Sequence, residues 1–330
     1  MKNKILTIIC ILILVLMWST IVNAKQISVG FTVPHLRSEY WVLEYEGVKE
    51  RIAEYGGTVS GFNAENDVSK QIDACENFIQ MGVDVIILNP VDSYGLIPAV
   101  KKANEAGIPV ITVGGKVMEG DIITYIFEDH VKGGRNGAQY IVEQLNGKGK
   151  VAMFTFPFAN WGLEFEEGAL SVFDKYPEIE IVANDGNAWR DGGPQGIVSA
   201  IENILLVHPD LNAVWGFADN PAYNAMKALQ QKKREDIIVV GFNGFNFVLK
   251  AIKEGSPFKG TSMQNFLETG QLAGQVAIRI FEGKKVPEVI EVPAIWVTKV
   301  DLDKVDLDKE FWDKLTTEEL EEKYGLADLD

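Results

Sequence analysis

Residues 71–115 read QIDACENFIQMGVDVIILNPVDSYGLIPAVKKANEAGIPVITVGG, and the hydrophobic rhythm changes repeatedly along them. Ile72, Cys75, Phe78 and Ile79 recur at helical spacing. DVIILNP is then a short, near-continuous apolar run, the mark of a strand covered on both faces. A second helical stretch through Leu96–Ala106 stops at Gly107, a residue suited to the left-handed turn that ends helices. PVITV follows as another β-branched strand behind a proline. Helix, buried strand, helix, buried strand is the grammar of a parallel sheet with helices on both sides.

The same alternation extends in both directions. Toward the N-terminus, ISVGFTVP precedes a helix around Trp41–Tyr55 and the strand TVSGFNA; toward the C-terminus come IITYIF and a helix over Gly133–Gln144. The pattern then restarts with KVAMFTFP and a helix near Phe165–Lys175, and IEIVAND with one over Gly196–Val207. AVWGFAD leads to Ala222–Gln231, IIVVGFNG to Phe247–Glu254, and FKGTSMQ to Glu268–Phe281. Two series in one 330-residue chain predict an α/β protein of two doubly wound parallel-sheet lobes with a cleft between them. The tail contains VDLDK twice in succession but lacks the glycine and the twelfth-position glutamate of a calcium loop. It reads as a solvated surface segment with one short helix over Thr317–Tyr324.

The first 24 residues have a different character. Lys2 and Lys4 precede an apolar run from Ile5 to Trp18, and small Val22 and Ala24 close the segment. This is the pattern of a secretory signal peptide cut after Ala24, and the run is short of the roughly 20 apolar residues of a membrane span. Cleavage would remove two of the 31 basic residues and leave 29 against 47 acidic ones, a net charge of −18. Such a balance argues against a nucleic-acid partner. It would also leave Cys75 alone, which excludes an internal disulfide and reads as a core residue.

Motifs for catalysis and cofactors are missing. Gly114-Gly115 end a strand, but Val110 and Val117 stand where a phosphate-binding loop needs Gly and Ser or Thr. GxGxxG is absent from the first strand–helix turn, and GxSxG is absent as well. His35, His130 and His208 have no metal-ligand spacing; His130 reads as part of an interlobe turn. The expectation is a non-enzyme without cofactor or metal.

The positive signal is aromatic. Tyr40-Trp41, Trp161, Phe165 and Trp189 fall just beyond strand ends in both lobes, where α/β folds collect ligands. Flat rings there suit the C–H faces of sugars. Asn89, Asp219, Asn220, Asn243 and Gln264 end further strands and would supply donors and acceptors around the same cleft.

GVKERIAEYGGTV, the stretch from Gln71 to Val113, LLVHPDLNAVWGFAD and IIVVGFNG together resemble the periplasmic sugar-binding proteins of the ribose/galactose type. These are the type I substrate-binding proteins of ABC transporters, and the resemblance covers nearly all of residues 26–299. It implies a three-segment hinge near Glu128–Val131, Gln264–Leu267 and Pro293–Trp296. The implied first lobe is 25–128 plus 266–293, the second 129–265 plus 294–299, with 300–330 as an acidic extension. The implied site comprises the aromatic pair Tyr40-Trp41, Asn89, the closing aromatic Trp189 and the hinge glutamine Gln264. Asn243 stands where the family has aspartate, Ala218 where it has asparagine (Asp219 is retained), and Phe165 where it often has arginine. Gly114-Gly115 replace an aspartate–arginine pair that binds sugar hydroxyls, so they mark a deleted polar clamp.

The resemblance implies a periplasmic monomer that captures a sugar or polyol by hinge closure and hands it to an ABC permease in the inner membrane. The altered clamp keeps a second reading open: a receptor for a furanone, a nucleoside or another signalling ligand, acting with a chemoreceptor or a sensor histidine kinase. A DNA-binding repressor of related build would need a basic helix-turn-helix where this chain has its signal-like segment.

Overall fold

A computed structural model of the chain describes residues 25–158, 160–304, 307 and 315–329. The signal-like segment 1–24 lies outside the described residues, as does part of the VDLDK repeat. Among the described residues, no helix is long and apolar enough to cross a membrane.

In chain order, the first half runs β1 (Ser28–Val33), α1 (Glu39–Glu54), β2 (Thr58–Asn63), α2 (Val68–Met81), β3 (Val85–Leu88), α3 (Ile97–Glu105), β4 (Val110–Val113), β5 (Thr124–Glu128) and α4 (His130–Gln144). The second half runs β6 (Lys148–Phe154), α5 (Asn160–Phe173), β7 (Glu178–Asp185), α6 (Ala188–Val207), β8 (Ala213–Gly216), α7 (Asp219–Gln231), β9 (Ile238–Asn243), α8 (Asn246–Lys253) and β10 (Phe258–Met263). It ends with α9 (Phe266–Phe281), β11 (Val289–Val292), β12 (Ile295–Thr298), α10 (Lys299–Leu302) and α11 (Thr317–Lys323).

The strands form two six-stranded sheets, ordered β11-β5-β4-β3-β1-β2 and β12-β10-β9-β8-β6-β7. The first is parallel throughout. In the second, β12 alone runs antiparallel, against β10. Each sheet is covered on both faces. Val29 and Phe31 pack with Val48 and Ile52 of α1 and Leu272 and Val276 of α9, while Ile86 and Leu88 turn to Phe78 of α2 and Val100 of α3. The second sheet divides likewise between a cluster around Phe154 and Met226 and one around Phe165 and Trp215. The predicted fold class is therefore the observed one.

Local chemistry sets the element ends. Asp67 caps α2 by accepting from the amides of Ser69 and Lys70, and Gly82 ends it at φ 67°. The chain passes between sheets at three places: from β5 to α4, from β10 to α9, and from β11 to β12. At the first of these the expected turn is already helix. The Asp129 side chain accepts from the Lys132 amide, so α4 starts at His130 rather than at Gly133. α6 likewise starts earlier than its periodicity suggests. A break at Gly193 (φ 54°), beside Pro194, separates an N-terminal arm carrying Trp189 from the main helix.

The tail corrects the sequence reading. It is not a solvated appendage: Leu320 and Leu326 are fully buried in the first-lobe core beside Leu272 and Val276. Arg51 of α1 donates to the Leu315 carbonyl and to Thr317 Oγ1, and fully buried Arg279 of α9 pairs with Glu321 at 3.2 Å. Leu302 meanwhile is buried in the second-lobe core. The helix over Thr317 onward is present and is locked by a capping box between Thr316 and Glu319. Acidic periodicity hid the few apolar and basic groups that dock the segment.

Candidate functional site

The carboxyl ends of both sheets face the junction of the lobes, and α1 delivers the first aromatic pair there. Tyr40 stacks on Phe245 of the opposite lobe at 5.6 Å between ring centroids and leans on Phe266, the first residue of α9, at 5.0 Å. Trp41 meets Tyr40 edge-on at 4.5 Å and His35 at 4.1 Å. Glu39, Tyr40 and Leu43 of the first lobe and Asn243, Gly244, Phe245 and Asn246 of the second line one small cavity with Phe266. A hydrogen bond from Asn246 Nδ2 to Glu39 Oε1, 3.0 Å long, also joins the lobes.

On the first-lobe wall, Asn89 follows β3. Its Nδ2 donates to both carboxylate oxygens of Glu44, at 3.3 and 3.2 Å. Glu44 is 2% exposed. Burial, reinforced by the nearby carboxylate of Glu128, pushes its pKa up to about 8, and the Asn89 hydrogen bond opposes the shift. Glu128 closes β5 at the first crossing and is also raised by burial, with His130 working against the shift. Thr269 Oγ1 lies 3.4 Å from its Oε1.

Gly114 has a backbone reason to be glycine, and Gly115 a steric one. Gly114 sits at φ 69°, and a β-carbon there would lie 3.1 Å from Asn89 Nδ2. One at Gly115 would lie 2.8 Å from Pro90 Cγ. The turn after β4 thus runs its main chain close against Asn89 and Pro90.

The second-lobe wall is a nest of rings. Trp161, at the start of α5, stacks on Phe156 at 5.1 Å and 8°, and Phe156 touches Phe217 at 5.2 Å. Phe165 is buried against Phe242 (3.9 Å) and His130 (4.9 Å), so it packs into the lobe core. His130 Nδ1 in turn lies 2.9 Å from Glu164 Oε2. Trp189 packs between the two second-lobe clusters.

Asp219 lies beneath this wall and does not face the cleft. It is fully buried and accepts from the amides of Gly244 (2.8 Å) and Phe245 (2.9 Å) and from Thr261 Oγ1 (2.8 Å). Burial nevertheless raises its pKa to about 6. It is a brace for the turn after β9, and Asn220 beside it is exposed. That turn holds Asn243 at φ 128°, a strained conformation for a residue with a side chain. Asn243 Nδ2 reaches Gln264 Oε1 at 3.3 Å, so two of the expected polar groups form a pair at the second crossing.

Ten of the twelve predicted residues therefore fall into three groups: Tyr40 and Trp41 with Asn243 and Gln264, Asn89 with Gly114 and Gly115, and Trp161 with Phe165 and Trp189; Asp219 and Asn220 stand outside them. Glu44 and Phe245 were not anticipated, and Glu128 and Phe266 were expected only as part of the crossing segments. Glu44 had a readable signal, an acid on the stripe shared by Tyr40, Val48 and Ile52. Among the described residues, no group of three or more His, Cys, Asp or Glu is placed to hold a metal ion.

Two parallel-sheet lobes joined by three crossings, with aromatic and amide side chains at the facing strand ends, define a cleft-type binding protein. A family model described as "Periplasmic binding protein domain" matches residues 29–285, and the chain belongs to that family. It is 32% identical to the ribose import binding protein RbsB of Bacillus subtilis, over 82% of this chain and 87% of that protein. It is 31% identical to a xylitol-binding protein of Mycolicibacterium smegmatis, over 86% of this chain and 81% of the other. A solved ABC transporter periplasmic solute binding protein from Actinobacillus succinogenes with bound D-allose superposes with a TM-score of 0.77, at 26% identity, over 84% of this chain and all of that one.

Proposed function

We propose that this chain is the extracytoplasmic substrate-binding protein of an ABC transporter and captures a sugar or polyol between its lobes by hinge closure. The observation that carries the reading is the juxtaposition of Tyr40 of the first lobe with Asn243 and Phe245 of the second at the lobe junction. A ligand held between the lobes would touch aromatic and amide side chains from both at once, so its binding energy would favour the closed arrangement. The proposed ligand contacts are Tyr40, Trp41, Asn89, the main chain at Gly114-Gly115, Trp161, Trp189, Asn243 and Gln264. Similarity to a ribose import binding protein and to a xylitol-binding protein supports a small hydroxylated cargo. The same reading includes export by the N-terminal segment, a periplasmic location, a monomeric state and an inner-membrane permease partner. Turnover of the ligand is no part of it.

The test is thermal unfolding of residues 25–330 against D-ribose, xylitol, D-allose, myo-inositol, disaccharides, nucleosides and furanones. Ligand at 100 times its dissociation constant adds about 2.7 kcal/mol, and each kcal/mol is worth about 2–4 °C for a chain of this size. A shift confined to sugars or polyols is expected. Silence from all of these beside a response to furanone or nucleoside would replace the transport cargo with a signalling ligand.

A further inference from the structure

Glu44 reaches the first-lobe wall from α1, behind Asn89. An amide side chain has one donor end and one acceptor end. Here the donor end is committed to both oxygens of Glu44, at 3.3 and 3.2 Å. The Asn89 backbone carbonyl is occupied separately by Gln71 Nε2 at 2.8 Å. Among the described residues none donates to Asn89 Oδ1, and Gly114, 3.1 Å from Nδ2 at its would-be β-carbon, supplies no side chain that could turn the amide around. Glu44 has no Lys or Arg partner among the described residues. The groups facing it are Asn89 from β3, Glu128 from β5 and Tyr40 one turn back on α1. Glu128 is faced by His130 of α4 and Thr269 of α9, and Glu268 of α9 is engaged by Lys323 and Tyr324 of the tail.

We propose that Glu44 is a positioning residue for ligand recognition: it holds the Asn89 amide so that Oδ1 is presented as an acceptor, which selects ligands that bring a hydroxyl or ammonium donor to that point. This assignment rests on the receptor reading above. An ionised Glu44 can only accept, and it locks the amide. A protonated Glu44 can donate, and it lets the amide turn and offer NH2 instead. Because the Glu44 pKa lies at about 8, the locked fraction grows as pH rises through that value. A donor ligand then gains the difference between a neutral and a charge-supported hydrogen-bond array, roughly fivefold to tenfold in affinity.

The experiment uses the full mature chain and two readouts. The first is the pH dependence, from 6.5 to 9.5, of the dissociation constants for D-ribose, xylitol, D-allose and myo-inositol, in wild type and in Glu44→Gln. The second is the pair of Asn89 side-chain NH2 resonances of the ligand-free protein over the same range. Wild type should tighten with pH while Glu44→Gln, which both donates and accepts, binds more weakly and without that slope. The Asn89 resonances should titrate near pH 8 in wild type and stay fixed in the variant. Equal affinity and slope in both proteins, or Asn89 resonances indifferent to pH, would overturn the assignment. Titrating resonances with none of the four probes bound would keep the Glu44–Asn89 contact but overturn its role in recognition, together with the receptor reading for such ligands.

Discussion

Tyr40 of the first lobe and Phe245 of the second lie ring on ring at 5.6 Å and 24°, and they join the lobes beside the cavity that Asn243 also lines. The stack makes the lobe junction and the candidate site one structure. Tyr40→Ala should weaken ligand binding by about 1–3 kcal/mol, the usual scale for an aromatic anchor. Trp189→Ala should do the same from the opposite wall. Unchanged affinity in both, by titration calorimetry, would remove the aromatic contribution.

Glu44 gives the stability a pH slope. The folded chain keeps its proton up to about pH 8, whereas the unfolded chain loses it near 4.5. The native state therefore binds more protons in that window, and stability falls as pH rises through it. Glu44→Gln removes the slope, so the variant should be the more stable protein at pH 8.5 and lose that advantage at pH 5. Urea midpoints at the two pH values check this; an equal offset at both would contradict it.

Restoring side chains after β4 should cost fold before it alters specificity. Gly114→Ala places a β-carbon at φ 69° and 3.1 Å from Asn89 Nδ2, a left-handed penalty of about 1–2 kcal/mol. Denaturant unfolding of the variant should show at least that loss. A neutral substitution would mean the turn is free to rearrange, and would leave the loss of a polar clamp as the sole account of these glycines.

Leu320 tests the docked tail. Leu320→Ala removes a fully buried side chain from the first-lobe core and should destabilise by about 2–5 kcal/mol. A surface helix would lose no more than about 0.5 kcal/mol, and chemical denaturation separates the two.

The lobes were legible because buried parallel strands write themselves as uninterrupted runs such as VIIL and VITV, bounded by helices of plain period. Tyr40, Asn89 and Asn243 could be placed at strand ends for the same reason. What did not show was which polar groups are spent internally. Asp219 and Asn220 are neighbours in sequence, yet one is a buried brace with three donors and the other is exposed. Their difference depends on Gly244, Phe245 and Thr261, which the fold brings from other strands. Glu44 was overlooked because its meaning depends on Asn89 and Glu128, distant in sequence. The tail misled because a segment can be acidic almost throughout and still dock through Leu320, Leu326 and the charges it offers Arg279.

The proposed function requires that one ligand be held by both lobes. Titration calorimetry with the sugar or polyol that raises the unfolding midpoint tests it directly, in wild type, in Asn89→Ala of the first lobe and in Asn243→Ala of the second. One ligand per chain and a loss of about tenfold or more in each variant should be found, the scale of a buried hydrogen bond left unmade. Full affinity in either variant would place the ligand on one lobe alone and contradict capture between them.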